Sequence, residues 1–254
     1  MKSPNYMSRE GWKPDMIVLH VCEGTFEGSK SWLCNPASGA SAHFVSGING
    51  ELEQLVDLDK AAWCNGTSIK PEFSSYYGNS TLQAVRNRKT NANYYTISIE
   101  NEGYSYKGLY GDLTEKQYAT VLKLCKELIT KYPAIKIDRE HIVGHYQITP
   151  ISKPNCPGKN FPFDRLITDL KTWEEAKKML EKFIDKYSAE VVDRGLDKLF
   201  QSEAKKDEPS SWAKEELAEA VKKGITDGTR PQDMATRQEV AIMVNRATKT
   251  THKD

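Results

Sequence analysis

The sequence predicts an α/β domain, a mixed central β-sheet flanked by helices, followed by a small all-α C-terminal module. Three observations carry this expectation. Apolar runs of strand length, such as Met16-Ile17-Val18-Leu19-His20, alternate with segments of helical periodicity. Threonine caps with an acid or amide three residues later open helical segments. After Phe163 only helical patterns remain.

The elements follow in order. Met16 to His20 reads as a buried strand. Val45 to Asp57 reads as a hairpin: Phe44-Val45-Ser46, a turn at Asn49-Gly50, then Leu52, Gln54 and Val56 in alternation. The Gly-, Asn- and Ser-rich stretch around Cys64–Ser80 is expected to form surface loops, where substrate contacts commonly collect. Tyr94 to Glu100 alternates, placing Tyr95, Ile97 and Ile99 on one face and Thr96, Ser98 and Glu100 on the other. Thr114-Glu115-Lys116-Gln117 is a capping box for a helix that runs through Lys131 and stops before Pro133. Ile142-Val143 is a short strand leading to His145.

Thr172-Trp173-Glu174-Glu175 is a second capping box, followed by Met179, Leu180, Phe183, Ile184 and Tyr187 at helical spacing, with Leu196, Leu199 and Phe200 as a continuation. Lys205 to Ser211 reads as a linker. A helix from Ser211-Trp212 ends at Gly224, and Thr236-Arg237-Gln238-Glu239 caps a last helix with Val240, Met243, Val244 and Ala247 on one face. The expected division is a catalytic domain over 1–171, a helical linker over 172–208 and a module over 209–254.

In this chain of 254 residues, 36 Lys and Arg face 35 Asp and Glu, a balance that argues against nucleic acid as partner. No apolar stretch reaches the roughly 18 residues of a membrane span. Met1 to Tyr6 lacks the apolar core of a secretory signal, so the expectation is a chain made in the cytoplasm or one whose signal was removed before this numbering begins. Five cysteines, an odd number with no Cys-x-x-Cys pair, point to reduced thiols.

Two imidazoles and one thiol, His20, His145 and Cys156, form a donor set suited to zinc. Three protein ligands leave a fourth position open, the arrangement of catalytic and not structural zinc. A water held there becomes a nucleophile near neutral pH, which implies hydrolysis. Cys22 is a rival ligand, because two residues along a strand it faces the same side as His20. His43 lines a cleft or packs; His141 lies at a strand start and is assigned no chemistry. Trp63 is expected in a cleft wall, while Asn93 and Tyr94 either shape the site or merely start a strand.

Five ordered blocks carry a family resemblance: Arg9-Glu10-Gly11-Trp12 to His20, Ser41-Ala42-His43-Phe44, Ala62-Trp63-Cys64-Asn65-Gly66, Ser98-Ile99-Glu100-Asn101-Glu102-Gly103, and Gly144-His145 with Cys156-Pro157-Gly158. They resemble the type 2 N-acetylmuramoyl-L-alanine amidases, which share the peptidoglycan-recognition-protein fold. The resemblance implies zinc held by His20, His145 and Cys156, and cleavage of the amide between the lactyl group of N-acetylmuramic acid and the L-alanine of the stem peptide. It implies Glu100 as general base, since Ala42 stands where one branch of the family has a tyrosine. Lys153 is the candidate cation for the oxyanion, although relatives often place this lysine two residues before the third ligand and Lys153 lies three before Cys156; Lys159 is its rival. The stretch from Trp212 through Gly224-Ile225-Thr226-Asp227-Gly228 to Thr236–Ala241 resembles one S-layer homology motif, which implies attachment to a secondary wall polymer, with an oligomerisation element as the alternative. The resulting expectation is a phage endolysin held in the host cytoplasm until lysis and then acting on wall peptidoglycan, with a homodimer formed by residues beyond Thr172. The alternatives are a host autolysin or recycling amidase, and a non-catalytic peptidoglycan recognition protein.

Overall fold

The computed structural model describes residues 2–106, 108, 110–186 and 214–225. Its strands are β1 (Tyr6–Ser8), β2 (Met16–Val21), β3 (Phe44–Ser46), β4 (Leu52–Gln54), β5 (Lys60–Ala62), β6 (Thr96–Asn101) and β7 (Ile142–Gly144). Its helices are α1 (Phe26–Leu33), α2 (Gln83–Arg88), α3 (Glu115–Lys131), α4 (His145–Ile148), α5 (Phe163–Lys186) and α6 (Lys214–Lys222). The main sheet runs β4-β3-β6-β2-β7, and β1 pairs with β5 in a separate two-stranded sheet. β2 is parallel to both β6 and β7, β6 is parallel to β3, and β4 closes one edge antiparallel to β3. This is the mixed sheet with flanking helices that the alternation of patterns predicts.

β2 lies inside the sheet with all six residues buried, which explains its unbroken apolar run. Ile17, Leu19, Ile97 and Ile99 cover one face and pack on Tyr118, Val121, Leu124 and Leu128 of α3 and on Leu166 and Leu170 of α5. Met16 and Val18 cover the other face with Leu82, Val85, Val143 and Ile148. Full burial of each such aliphatic side chain stabilises the fold by about 1.5–3 kcal/mol. Along β2 the second face continues from Met16 and Val18 to His20, so the core face of the strand runs directly into the site.

The hairpin stands as expected: Gly50 turns at φ +93° between β3 and β4 and donates to the carbonyl of Gly47 at 3.0 Å. Three local expectations change. Tyr95 does not share a face with Ile97 and Ile99; it precedes β6 and packs with Met16 and Val18, its ring under the Arg88 guanidinium at 4.1 Å. Thr114 caps α3 by accepting from the Gln117 N–H, but Gln117 does not reach back to close the box. Its buried amide instead donates to the carbonyls of Ser46 and Glu102, bridging the ends of β3 and β6. Thr172 starts no helix, because α5 runs unbroken through it from Phe163; the burial of Leu166 and Leu170 sets the helix before the threonine is reached.

The chain divides into two units, Met1–Glu175 and Ala176–Asp254, the division falling within α5. In the second unit α6 ends at Gly224, φ +68°. The Gly224 N–H donates to the Val221 carbonyl and the Ile225 N–H to the Ala220 carbonyl, both at 2.9 Å, which is the Schellman closure expected of a glycine stop. The 205–211 linker, Trp212, the Thr236 cap and the last helix lie outside the described residues. Among the described residues no helix is long and apolar enough to cross a membrane.

Candidate metal centre

Parallel strands deliver their carboxyl ends to one edge of the sheet, the edge where open α/β sheets bind ligands. Here three adjacent strands do so. His20 near the end of β2 is the register partner of Glu100 near the end of β6, so their side chains rise side by side from one face. β7 pairs Gly144 with Leu19, and the next residue, His145, opens α4 beside them. Gly144 is required at that corner: a Cβ would lie 2.7 Å from the Tyr146 ring and 2.9 Å from Pro157. Gln147 pins the turn by accepting from the Gly144 N–H at 3.1 Å.

Cys156 returns to the same place. Its carbonyl accepts from the Tyr146 N–H at 2.9 Å, and its Sγ lies 3.8 Å from His20 Nδ1. The His20 and His145 rings are 4.5 Å apart and meet edge to face at 66°. The ligand atoms of His20, His145 and Cys156 all lie within 4.8 Å of one another. Nitrogen and sulfur ligands of one tetrahedral zinc are about 3.6 Å apart given Zn–N and Zn–S distances of ~2.0 and ~2.3 Å, so the set fits zinc. A second overlapping set, His20, Cys64 and Glu100, has the same spread. Cys22 belongs to neither set; its thiol hydrogen-bonds Ser29 and the Glu100 carboxyl.

Burial prepares these groups. His20 is 1% exposed, and burial, with the neighbouring His145, pushes its pKa well below the ordinary range. Burial, helped by Lys153, pushes His145 down to about 3. Both imidazoles therefore stand in the neutral, ligating form. Burial and then the Glu100 charge push the Cys156 thiol far up, so a metal would have to displace its proton. Burial raises Glu100 to about 7, against smaller opposing effects from Cys64 and Lys153. Its Oε1 lies 3.9 Å from His20 Nδ1, and its Oε2 is buried with no hydrogen-bond partner among the described residues.

Above these residues opens a cleft of about 810 Å³, walled by Trp32, Trp63, Tyr104, Glu23 and the Ser152–Cys156 loop. Lys153 lines it and acts electrostatically on His20, His145, Glu100 and Cys156 alike. Lys159 instead sits over the Tyr110 ring at 4.2 Å, so the structure brings Lys153 and not its rival to the site. Trp63 is in the cleft wall as expected. His43 is not: it is fully buried, with Nδ1 accepting from the Ser98 N–H at 3.0 Å and Nε2 beside the Lys60 carbonyl at 3.1 Å. His141 precedes β7 and pairs with Asp138 at 2.7 Å. Asn93 shapes the site indirectly, its Oδ1 accepting from the Asn65 N–H at 2.6 Å.

The residue that sequence reasoning missed is Cys64. Placed in a surface loop by composition, it lies 3.4 Å from His20 Nε2 and 3.5 Å from Glu100 Oε1. The partners are 44 and 36 positions away, beyond any local pattern.

Fold and site together define an α/β domain with a ligand cleft at the carboxyl ends of parallel strands and a His–His–Cys donor set beneath it. The family model for N-acetylmuramoyl-L-alanine amidase matches residues 10–159, and the chain belongs to that family. It is 33% identical over 184 residues to the 1,6-anhydro-N-acetylmuramyl-L-alanine amidase AmpD of Citrobacter freundii, covering 64% of this chain and 84% of the relative. It is 28% identical over 177 residues to N-acetylmuramoyl-L-alanine amidase A of Achromobacter lyticus, covering 63% and 85%. Among solved structures, an AmpD selenomethionine derivative aligns at TM-score 0.46 and 26% identity over 67% of this chain and 92% of that one. The amidase AmiD from E. coli, in complex with an anhydro-N-acetylmuramic acid peptide, aligns at 0.47 and 21%, over 66% and 60%.

Proposed function

We propose that this amidase is zinc-dependent and hydrolyses the bond between the lactyl carbonyl of N-acetylmuramic acid and the L-alanine nitrogen of the stem peptide. The observation that carries this is the convergence of His20, His145 and Cys156 on one point beside the buried Glu100 carboxyl. The chemistry a zinc ion supplies there when bound is Lewis acidity toward water and toward an amide carbonyl. Glu100, held near neutrality, takes the proton of the attacking water at Oε2. The Lys153 ammonium stands over the site for the negative charge that develops on the carbonyl oxygen. Glu100 then returns its proton to the departing nitrogen, so that L-alanine leaves as a neutral amine and the lactyl carboxylic acid remains, which gives up its own proton to solvent or to the released amine. Trp32 and Trp63 offer the cleft's apolar surface to the sugar faces. Mass spectrometry of digested peptidoglycan tests this: free L-alanine amines and intact lactyl-muramic acid are expected, and a cut elsewhere in the stem or in the glycan overturns it.

The cellular role we assign is that of an endolysin, retained in the host cytoplasm until lysis and then acting on wall peptidoglycan. Its support is the likeness of the tail beyond Trp212 to a wall-attachment motif. That tail would bind a secondary wall polymer or pair with a second copy of the chain. The names of the AmpD relatives favour a second reading, a recycling enzyme for 1,6-anhydro muropeptides. The ratio of kcat/KM on intact walls to that on a soluble 1,6-anhydro muropeptide separates them. Preference for walls supports the endolysin; strong preference for the soluble anhydro sugar reverses the assignment.

A further inference from the structure

Cys64 occupies the gap between a metal ligand and the base. His20 has two ring nitrogens, and Nδ1 is the one turned toward Cys156 Sγ. That leaves Nε2 to carry the ring proton, and Cys64 Sγ lies 3.4 Å from it, with the Asn65 side chain also hydrogen-bonding the ring. The same sulfur is 3.5 Å from Glu100 Oε1, in donating geometry. A thiol has one proton to give and lone pairs to accept with, so both contacts are satisfied at once: the imidazole Nε2–H donates to sulfur, and the S–H donates to the carboxylate. Ligand imidazoles generally need such a partner on the far nitrogen to fix their orientation.

The loop that carries the sulfur is built to hold it. Asn65, next in the chain and fully buried, donates from its side chain to Thr96 Oγ1 and Ser98 Oγ, both at 2.8 Å, on the same face of β6 that presents Glu100. Its backbone N–H is held by Asn93. Cys64 therefore cannot move without disturbing a buried network, and the Ser98 hydroxyl of that network also hydrogen-bonds the thiol.

We propose that Cys64 is a positioning residue of the amidase, its thiol tying His20 to Glu100 so that Nδ1 faces the metal and the carboxylate faces the cleft. It is not a ligand and touches no reacting atom. This rests on the proposed metal centre at His20, His145 and Cys156.

The test compares Cys64→Ala, Cys64→Ser and Cys156→Ser in the full chain. Zinc affinity is measured by chelator competition, melting is followed in the metal-free proteins, and the cobalt-substituted proteins are examined for thiolate-to-cobalt charge transfer. Cys64→Ala is expected to weaken zinc about 10–100-fold and to lower kcat with KM little changed. Cys64→Ser, whose hydroxyl can accept and donate in the same way, is expected to recover most of both. The charge-transfer band should persist in both Cys64 variants and vanish in Cys156→Ser. Unchanged affinity and kcat in Cys64→Ala overturns the proposal, as does loss of the band in Cys64→Ser, which would make Cys64 a ligand. If Cys64→Ala fails to fold, Cys64→Ser decides on the band and the affinity alone. Retention of zinc and the band by Cys156→Ser removes the metal centre itself, and the proposal with it; the other failures leave the centre standing.

Discussion

Two buried histidines stand a few strands apart in this molecule and differ in how their nitrogens are occupied. His43 and His20 are 0% and 1% exposed, and burial holds both in the neutral form. His43 has both nitrogens in contact with the fold at ordinary hydrogen-bond distance: Ser98 N–H on one side and the Lys60 carbonyl on the other, with the Arg9 guanidinium alongside. Around His20 stand two sulfurs and a carboxylate at 3.4 to 3.9 Å, the Asn65 side chain, the His145 ring and an open cleft. Burial of an imidazole therefore says little about chemistry. What separates the two is that backbone groups of the fold complete His43, whereas His20 shares its surroundings with the ligating atoms of His145 and Cys156, all within 4.8 Å of one another.

The sharpest consequence concerns metal removal. Chelated protein is expected to lose all measurable amidase turnover and to regain it with zinc, while a His43→Phe protein keeps its zinc. Turnover by verified metal-free protein would abolish the distinction. Next in size is Glu100→Gln, expected to lower turnover by about 10²–10⁴-fold with zinc content and melting temperature preserved. A fall of less than about tenfold would remove Glu100 as base.

Lys153→Ala is expected to lower kcat by up to about 10²–10³-fold, the cost of one oxyanion partner, whereas Lys159→Ala, taken off the Tyr110 ring, stays near wild type. Equal effects would mean that proximity to the cleft does not decide the lysine. For His43→Phe the expected loss is one of stability, about 1–3 kcal/mol for each buried partner left unsatisfied, with activity per folded molecule unchanged. Denaturant melts paired with active-site titration measure this, and a stable but inactive protein would move His43 into the site.

The smallest effect is in the pH profile. The base works as the carboxylate, so kcat/KM should rise with pH, by about tenfold between pH 6 and 8 if the midpoint stays near 7. A bound cation favours the charged carboxylate and shifts that midpoint downward. A midpoint above 7 would contradict the assignment.

Much of this protein was legible in its residues because the signals are local. The unbroken apolar run of β2, the Asn49-Gly50 turn, the Thr114 cap and the Gly224 stop each depend on neighbours within a few positions, and each stands where the pattern put it. That His20, His145, Cys156 and Glu100 belong together was likewise suggested by ordered motifs, and the fold brings them to one place. What the residues could not decide depends on atoms far apart in the chain. Tyr95 left its alternating face for the Arg88 guanidinium, Gln117 left its capping box for strand-end carbonyls, and Thr172 lost its role to a helix already set by core leucines. In each case a tertiary partner outcompeted a local one of about 1 kcal/mol. That Lys153 and not Lys159 lines the cleft, that Cys22 stands outside the ligand set and that Cys64 lies beside His20 became visible only in the packed structure, where parallel pairing of β2 with β6 and β7 brings three strand ends to one edge. A donor set is a matter of a few ångströms, and only the packed sheet specifies those.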